Sequence, residues 1–169
     1  CGMVPIVEPE VLMDGDHSAD VCLNKTSEVI EKFFEELILH KVDLSGIILK
    51  PNMILAGDQS REKISSEEVS KKTLECLKSS VPNNVPGIAF LSGGQSELEA
   101  TENLNLINKN NDTNFIMTYS YGRALQQSAL KVWSKNINDI EETQKTFNHR
   151  AKMCTLAAKG EWVSKLESQ

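Results

Sequence analysis

Gly46-Ile47-Ile48-Leu49-Lys50-Pro51-Asn52 is the stretch that decides how this chain is read. Four residues that are apolar or small occur in succession, with no polar alternation. Such a run reads as a strand buried on both faces, the kind found in parallel sheets covered by helices. Lys50 stands at its tip, and Pro51 holds Lys50 extended as it leaves the strand. Withdrawing an ammonium group from water costs free energy, so this segment leaves two readings of Lys50: a strand-end lysine snorkelling to water, or a free amine that works as a nucleophile.

Three further runs have the same character: Val4 to Val7, Gly87 to Leu91 and Phe115 to Thr118. Amphipathic stretches separate them. Ser18 or Asp20 starts a helix that runs to about His40, carrying Val21, Ile30, Phe33, Phe34, Leu37 and Ile38 roughly on one face. Ser65 or Ser66 precedes Glu67 and Glu68, acids that favour the first turn of a helix. Ser96, with Glu99 three residues on, has the form of a capping box. A fourth helix opens near Gly122-Arg123 with Leu125, Ala129, Leu130 and Trp133, and a fifth spans roughly Ile140 to Lys159. Strand and helix alternate, which predicts a parallel sheet with right-handed crossovers. Four such units suit either a small open sheet or half of an eight-stranded barrel. Trp133 and Trp162 are expected as core anchors.

With 169 residues, 40% hydrophobic and 25% charged, the chain has ordinary globular composition. Its net charge of −6 comes without any basic run, which argues against nucleic acid or anionic membrane as partners. No stretch of eighteen apolar residues and no signal-peptide pattern occurs. Cys1 opens the chain just ahead of an apolar run, as though it began mid-domain. The four cysteines, Cys1, Cys22, Cys76 and Cys154, are far apart and read as reduced thiols of a cytosolic protein. His17, His40 and His149 have no metal-ligand spacing, so no metal site is expected. Asp14-Gly15-Asp16-His17 lacks the later ligands of a calcium loop and reads as a turn before the first helix.

Each apolar run ends in residues able to do chemistry. Glu8-Pro9-Glu10 follows the first and Lys50-Pro51-Asn52 the second. Ser92-Gly93-Gly94-Gln95-Ser96 follows the third, and Tyr119-Ser120-Tyr121-Gly122-Arg123 the fourth. In parallel α/β folds ligands bind at the carboxyl ends of strands, so these four groups should converge on one mouth. Glycines at 93 and 94 let backbone approach an anion. Gly122 opens a helix, and Arg123 adds a permanently charged fork suited to phosphate oxygens. Glu8 and Glu10 are two residues apart and share a face, so either is able to reach the site.

These residues resemble class I fructose-bisphosphate aldolase. Val4 to Glu10, Leu49 to Met53, Phe90 to Ser96 and Ser120 to Leu125 come in that family's order and at its spacing, and the likeness runs from Cys1 to about Trp162. The resemblance implies an α/β fold, a (β/α)8 TIM barrel. The chain would supply strands five to eight with their helices, so that 1–169 is the C-terminal half of one barrel domain. It implies that Lys50 forms a Schiff base with the ketone of fructose 1,6-bisphosphate or dihydroxyacetone phosphate. Glu8 would act as acid/base, with Glu10 as a further catalytic candidate. Ser92, Gly93, Gly94, Ser120, Gly122 and Arg123 are the implied phosphate-binding residues. The implied activity is reversible cleavage to dihydroxyacetone phosphate and glyceraldehyde 3-phosphate in glycolysis and gluconeogenesis, with no cofactor. The full-length protein would be a cytoplasmic homotetramer acting on a sugar phosphate. First-half residues of the family and its tail with a terminal tyrosine are not in this sequence, so the chain is expected to be a fragment incompetent for full turnover. The alternative is an inactive half barrel serving as a protein-interaction module.

Overall fold

The computed structural model describes residues 2–168. Its elements run β1 (Ile6–Val7), α1 (Ala19–Leu39), β2 (Ile48–Leu49), α2 (Ser66–Ser80), β3 (Gly87–Phe90), α3 (Glu97–Lys109), β4 (Ile116–Tyr119), α4 (Arg123–Lys135) and α5 (Ile140–Ala157). Short 3-10 helices at Leu44–Gly46 and Ser164–Ser168 complete the order. Helix starts follow the capping chemistry. Ser18, rather than Asp20, accepts from Val21 N; Ser65 and Ser96 form full capping boxes with Glu68 and Glu99; Asp139 accepts from Glu142 N.

The four strands are parallel and lie in the order β1-β2-β3-β4. Registers run Val7 to Leu49, Leu49 to Ile88, and Ile88 to Met117. Sequential order decides between the two architectures left open above. Right-handed crossovers between strands that never reverse direction across the sheet place every helix on the same face. That is the arrangement of consecutive barrel units; a doubly wound sheet needs a switch in strand order.

Burial follows from this. Leu49, Ile88 and Phe90 are fully buried, and Met117 nearly so, in one core with Ile30, Phe34, Leu77, Leu104 and Ile107 from α1, α2 and α3. Burying each such side chain is worth about 1.5–3 kcal/mol. On the opposite face of the edge strands Ile6 is 56% and Ile116 75% exposed. The expectation of burial on both faces is therefore corrected. Helices cover one side only, and the other is the side that further strands fill when a barrel closes.

Trp162 is buried, as expected of a core anchor, and its backbone N–H donates to Asn105 Oδ1 at 3.0 Å. Trp133 is not one: it is 46% exposed, with Leu130 also exposed, and both line an open groove between α4 and α5 with Phe147. Val21 and Ile38 on α1 face outward as well. Asp14–His17 forms a bend, the turn its sequence suggests, laced to the segment after β2. Gly57 N donates to His17 O, Asp58 N to Met13 O and Gln59 N to Gly15 O, each at 2.9 Å. A side chain at Gly57 would meet Gly15 O at 2.2 Å, so only glycine permits this approach. Cys22, Cys76 and Cys154 are free and buried; Cys1 lies outside the described residues.

Candidate active site

Ladder bonds continue past the ends of the strands and set the four exits side by side. Lys50 N donates to Val7 O at 2.7 Å, Leu91 N to Pro51 O at 3.1 Å, and Ser120 N to Phe90 O at 2.8 Å. Glu8, Lys50, Ser92 and Ser120 thus leave neighbouring strands at the same end of the sheet. The expected convergence of the strand ends is what the backbone delivers.

Lys50 and Glu8 share the face opposite the helix layer, as their one-residue offset from Leu49 and Val7 requires. Lys50 Nζ stands 2.9 Å from Glu8 Oε1, with side chains 21% and 44% exposed. The amine is thus sheltered and ion-paired, not sealed from water. Behind the pair lies Asn52, almost fully buried. Its Oδ1 accepts from Val11 N at 3.0 Å; its Nδ2 donates to Thr26 Oγ1 and to Met53 O, both at 3.1 Å. Asn52 ties the exit of β1 to the exit of β2 and so fixes where Glu8 and Lys50 diverge. The sequence reading assigned it no role, although an asparagine directly after a strand-ending proline was its only visible signal.

Glu10 takes a different position from Glu8. Among the described residues it makes no ion pair with Lys50; its Oε1 lies 3.4 Å from where a side chain at Gly93 would begin. It therefore faces the loop after β3. That loop is tight at both glycines and demands glycine at 94. Gly94 has φ +73°, and a side chain on it would meet Met13 Cβ at 3.1 Å. A side chain on Gly93 would meet Leu91 Cδ1 at 3.0 Å.

The helix that follows, α3, is already capped. Ser96 Oγ accepts from Glu99 N, and Glu97 and Glu99 occupy its first turn. Its N-terminus is therefore satisfied by its own cap and flanked by acids, which leaves Ser92 and the glycine amides as the groups of this loop open to an anion. At α4 the situation is reversed. Gly122, the N-cap, provides no side-chain hydrogen bond, and the first turn holds no acid but begins with the exposed Arg123. The other four α-helices each carry both a capping side chain and an acid in the first turn. Open space adjoins Gly122, where a side chain would meet nothing within 4 Å. Uncapped amides, a positive helix end and a guanidinium together suit an anion.

Strand-end Lys50 held against Glu8, beside the glycine-bearing loop after β3 and the uncapped start of α4, lies in a run of consecutive parallel βα units of the kind found in (β/α) barrels. Comparison with known proteins narrows the class. The model of the class I fructose-bisphosphate aldolase family matches residues 1–169. Fructose-bisphosphate aldolase 4, cytosolic, of Arabidopsis thaliana is 46% identical over 160 residues, covering 94% of this chain and 41% of that protein. The probable fructose-bisphosphate aldolase class 1 of Xanthomonas campestris is 44% identical over 162 residues, covering 95% of this chain and 48% of that protein. Among solved structures, fructose-bisphosphate aldolase from Plasmodium falciparum, crystallised with TRAP and a small-molecule inhibitor, aligns with TM-score 0.92 at 41% identity. That alignment covers 96% of this chain and 47% of the other. The chain belongs to the class I fructose-bisphosphate aldolase family. It spans about half the length of the curated relatives it matches.

Proposed function

We propose that residues 1–169 form the C-terminal half of one aldolase barrel domain, strands five to eight, and carry the amine centre for reversible cleavage of fructose 1,6-bisphosphate. The observation that supports this most is the Glu8–Lys50 pair at 2.9 Å on adjacent strand ends, beside two loops suited to phosphate. In this reading Lys50 Nζ attacks the C2 ketone, and Glu8 moves the protons that let water leave the carbinolamine. The resulting protonated imine draws electron density from the C3–C4 bond. That bond breaks as the C4 hydroxyl loses its proton, releasing glyceraldehyde 3-phosphate and leaving an enamine on Lys50. Protonation at C3 and hydrolysis then free dihydroxyacetone phosphate and the amine.

Ser92, Gly93, Gly94, Ser120, Gly122 and Arg123 anchor the phosphate next to the ketone, which holds the carbonyl carbon in line with the amine. Glu10 lines the loop at Gly93 and does not touch the amine. No cofactor enters this sequence of steps. The cytosolic fructose-bisphosphate aldolase of Arabidopsis thaliana among its relatives supports a cytoplasmic enzyme acting on a sugar phosphate, and our reading takes the full-length protein as a homotetramer.

The test is borohydride reduction of the longest product of this gene in the presence of dihydroxyacetone phosphate. A mass adduct is expected on the peptide containing Lys50. An adduct on another lysine, with none at Lys50, overturns the assignment.

A further inference from the structure

The phosphate-facing loops belong to different elements, one after β3 and one after β4. A single anion held by both needs them at a fixed separation, because hydrogen bonds weaken quickly outside about 2.7–3.2 Å. Backbone pairing joins the strands up to Ser120 N and Phe90 O, then ends. Beyond that point side chains take over.

Tyr121 lies inside the β4 loop and is almost fully buried. Its hydroxyl donates to Ala100 O at 2.9 Å, on the second turn of α3. Burial holds this phenol protonated well above its ordinary range, so it remains a donor. One turn further along α4, Ser128 meets Glu97 in the first turn of α3. Its backbone N–H donates to Glu97 Oε1 at 2.9 Å, and its hydroxyl donates to Glu97 Oε2. Both carboxylate oxygens are thereby engaged with α4. The β3 loop is itself pinned, since Asn103 Nδ2 donates to Gln95 Oε1 at 2.8 Å. Displacing α3 from α4 therefore displaces the loop that α3 carries.

We propose that Tyr121 and the Glu97–Ser128 pair are positioning residues that keep the two loops at the separation one phosphate group requires. The inference rests on the aldolase reading above. Tyr121 and Ser128 do not touch substrate; they act through Ser92–Gly94 and Arg123. A role in stability alone would lower the unfolding midpoint and leave phosphate affinity intact, which gives the two accounts different signatures.

The experiment uses the longest product of the gene, with inorganic phosphate as a competitive probe. In Tyr121→Phe the inhibition constant for phosphate is expected to rise roughly 3- to 10-fold, the equivalent of one neutral hydrogen bond, and in Ser128→Ala, which loses a hydrogen bond to a carboxylate, by roughly 10-fold or more. The KM for the bisphosphate should rise in parallel, with kcat within about twofold on the same basis. Borohydride trapping of unphosphorylated dihydroxyacetone on Lys50 should be unchanged. Ser128→Thr, which keeps the hydroxyl, should restore phosphate affinity. Arg123→Met serves as the reference. If it raises the inhibition constant while both spacer variants leave it unchanged, the spacer role is overturned and the phosphate site stands. If Arg123→Met also leaves it unchanged, the site and the spacer fall together. Should Tyr121→Phe fail to fold, the Ser128 pair of variants decides.

Discussion

Glu8 Oε1 lies 2.9 Å from Lys50 Nζ across the β1–β2 pair, and the two side chains emerge one residue after the registered partners Val7 and Leu49. Parallel register is what makes the contact. Equal offsets from paired residues put both side chains on the same face at the same height. The carboxylate is therefore placed to take and return protons at the nitrogen it contacts.

Glu8→Gln is expected to slow imine formation on Lys50 by roughly 10²–10⁴-fold, the usual worth of general acid–base catalysis, with the phosphate inhibition constant unchanged. Lys50→Met should abolish borohydride trapping. Rapid-mixing borohydride quench of the longest gene product gives both numbers. A Glu8→Gln protein that traps dihydroxyacetone phosphate at the wild-type rate removes the proton-transfer role.

Arg123 is exposed at the uncapped start of α4. Charge-assisted hydrogen bonds are worth about 1.5–3 kcal/mol, so Arg123→Met should weaken inorganic phosphate by roughly 10- to 100-fold. Arg123→Lys, which keeps the charge and loses the planar fork, should recover only part of this. Competitive inhibition at constant ionic strength measures the effect. Equal affinity in Arg123→Met would mean the anion binds elsewhere.

Removing Asn52 takes the hydrogen-bond partner from the half-buried Val11 N and leaves the buried Thr26 Oγ1 with only the Cys22 thiol nearby. Asn52→Ala is expected to cost about 1–3 kcal/mol of stability, the usual penalty for buried polar groups left unpaired. Urea unfolding should show a lower midpoint with the same slope. A loss of unfolding free energy under about 0.3 kcal/mol would show that water replaces the amide at no cost.

Glu167 closes the C-terminal 3-10 helix over α5, pairing with Arg150 and accepting from Trp162 Nε1 at 2.8 Å. Burial raises its pKa, but the hydrogen bond from Arg150, that from Trp162 and the charge of Arg150 outweigh burial and leave it below the ordinary glutamate range. A depressed folded-state value means the contact is fully present above about pH 4.3 and is lost as pH falls through the lower folded value. In a Trp133→Phe background, Trp162 emission should therefore shift to longer wavelength only in that acid window. A shift already complete at pH 6 would contradict the ion pair.

Cys76 is pushed up to about 11 by burial, against a weaker opposing hydrogen bond from Ser27. At pH 8 the thiolate is scarce, so alkylation by iodoacetamide should proceed only through unfolding, and urea should accelerate it sharply. The sign for stability follows from the unfolded thiol losing its proton first. Between about pH 8.5 and 11 the folded state binds more protons, so stability falls as pH rises. Rapid labelling of Cys76 in the native state at pH 8 would refute its burial.

Much of this was legible before any coordinates. Ser65-Ser66-Glu67-Glu68 and Ser96 with Glu99 announce helix starts, because capping is settled within four residues. Pro51 and Pro9 mark the strand exits for the same local reason. What misled was periodicity at the periphery. Trp133 and Leu130 sit on an apolar stripe of α4, yet whether such a stripe is covered depends on the elements placed against it. Likewise Ser96 and Gly122 each open a helix directly after a strand-end loop. Only the capping box at Ser96, set against the empty cap at Gly122, separates a helix end already satisfied from one that is open.

The sequence by itself determined the order of strands and helices, the caps, and the four chemical groups at the strand ends, since each follows from steric and hydrogen-bonding preferences among close neighbours. Tertiary structure alone decided that the strands lie in sequential order, that Glu8 rather than Glu10 meets Lys50, and that Asn52, Tyr121 and Glu97 bridge the exits. These depend on register and on the side of the sheet the helices cover, properties set by contacts between residues some twenty to forty positions apart. No local preference encodes such distances; packing of the whole core selects them.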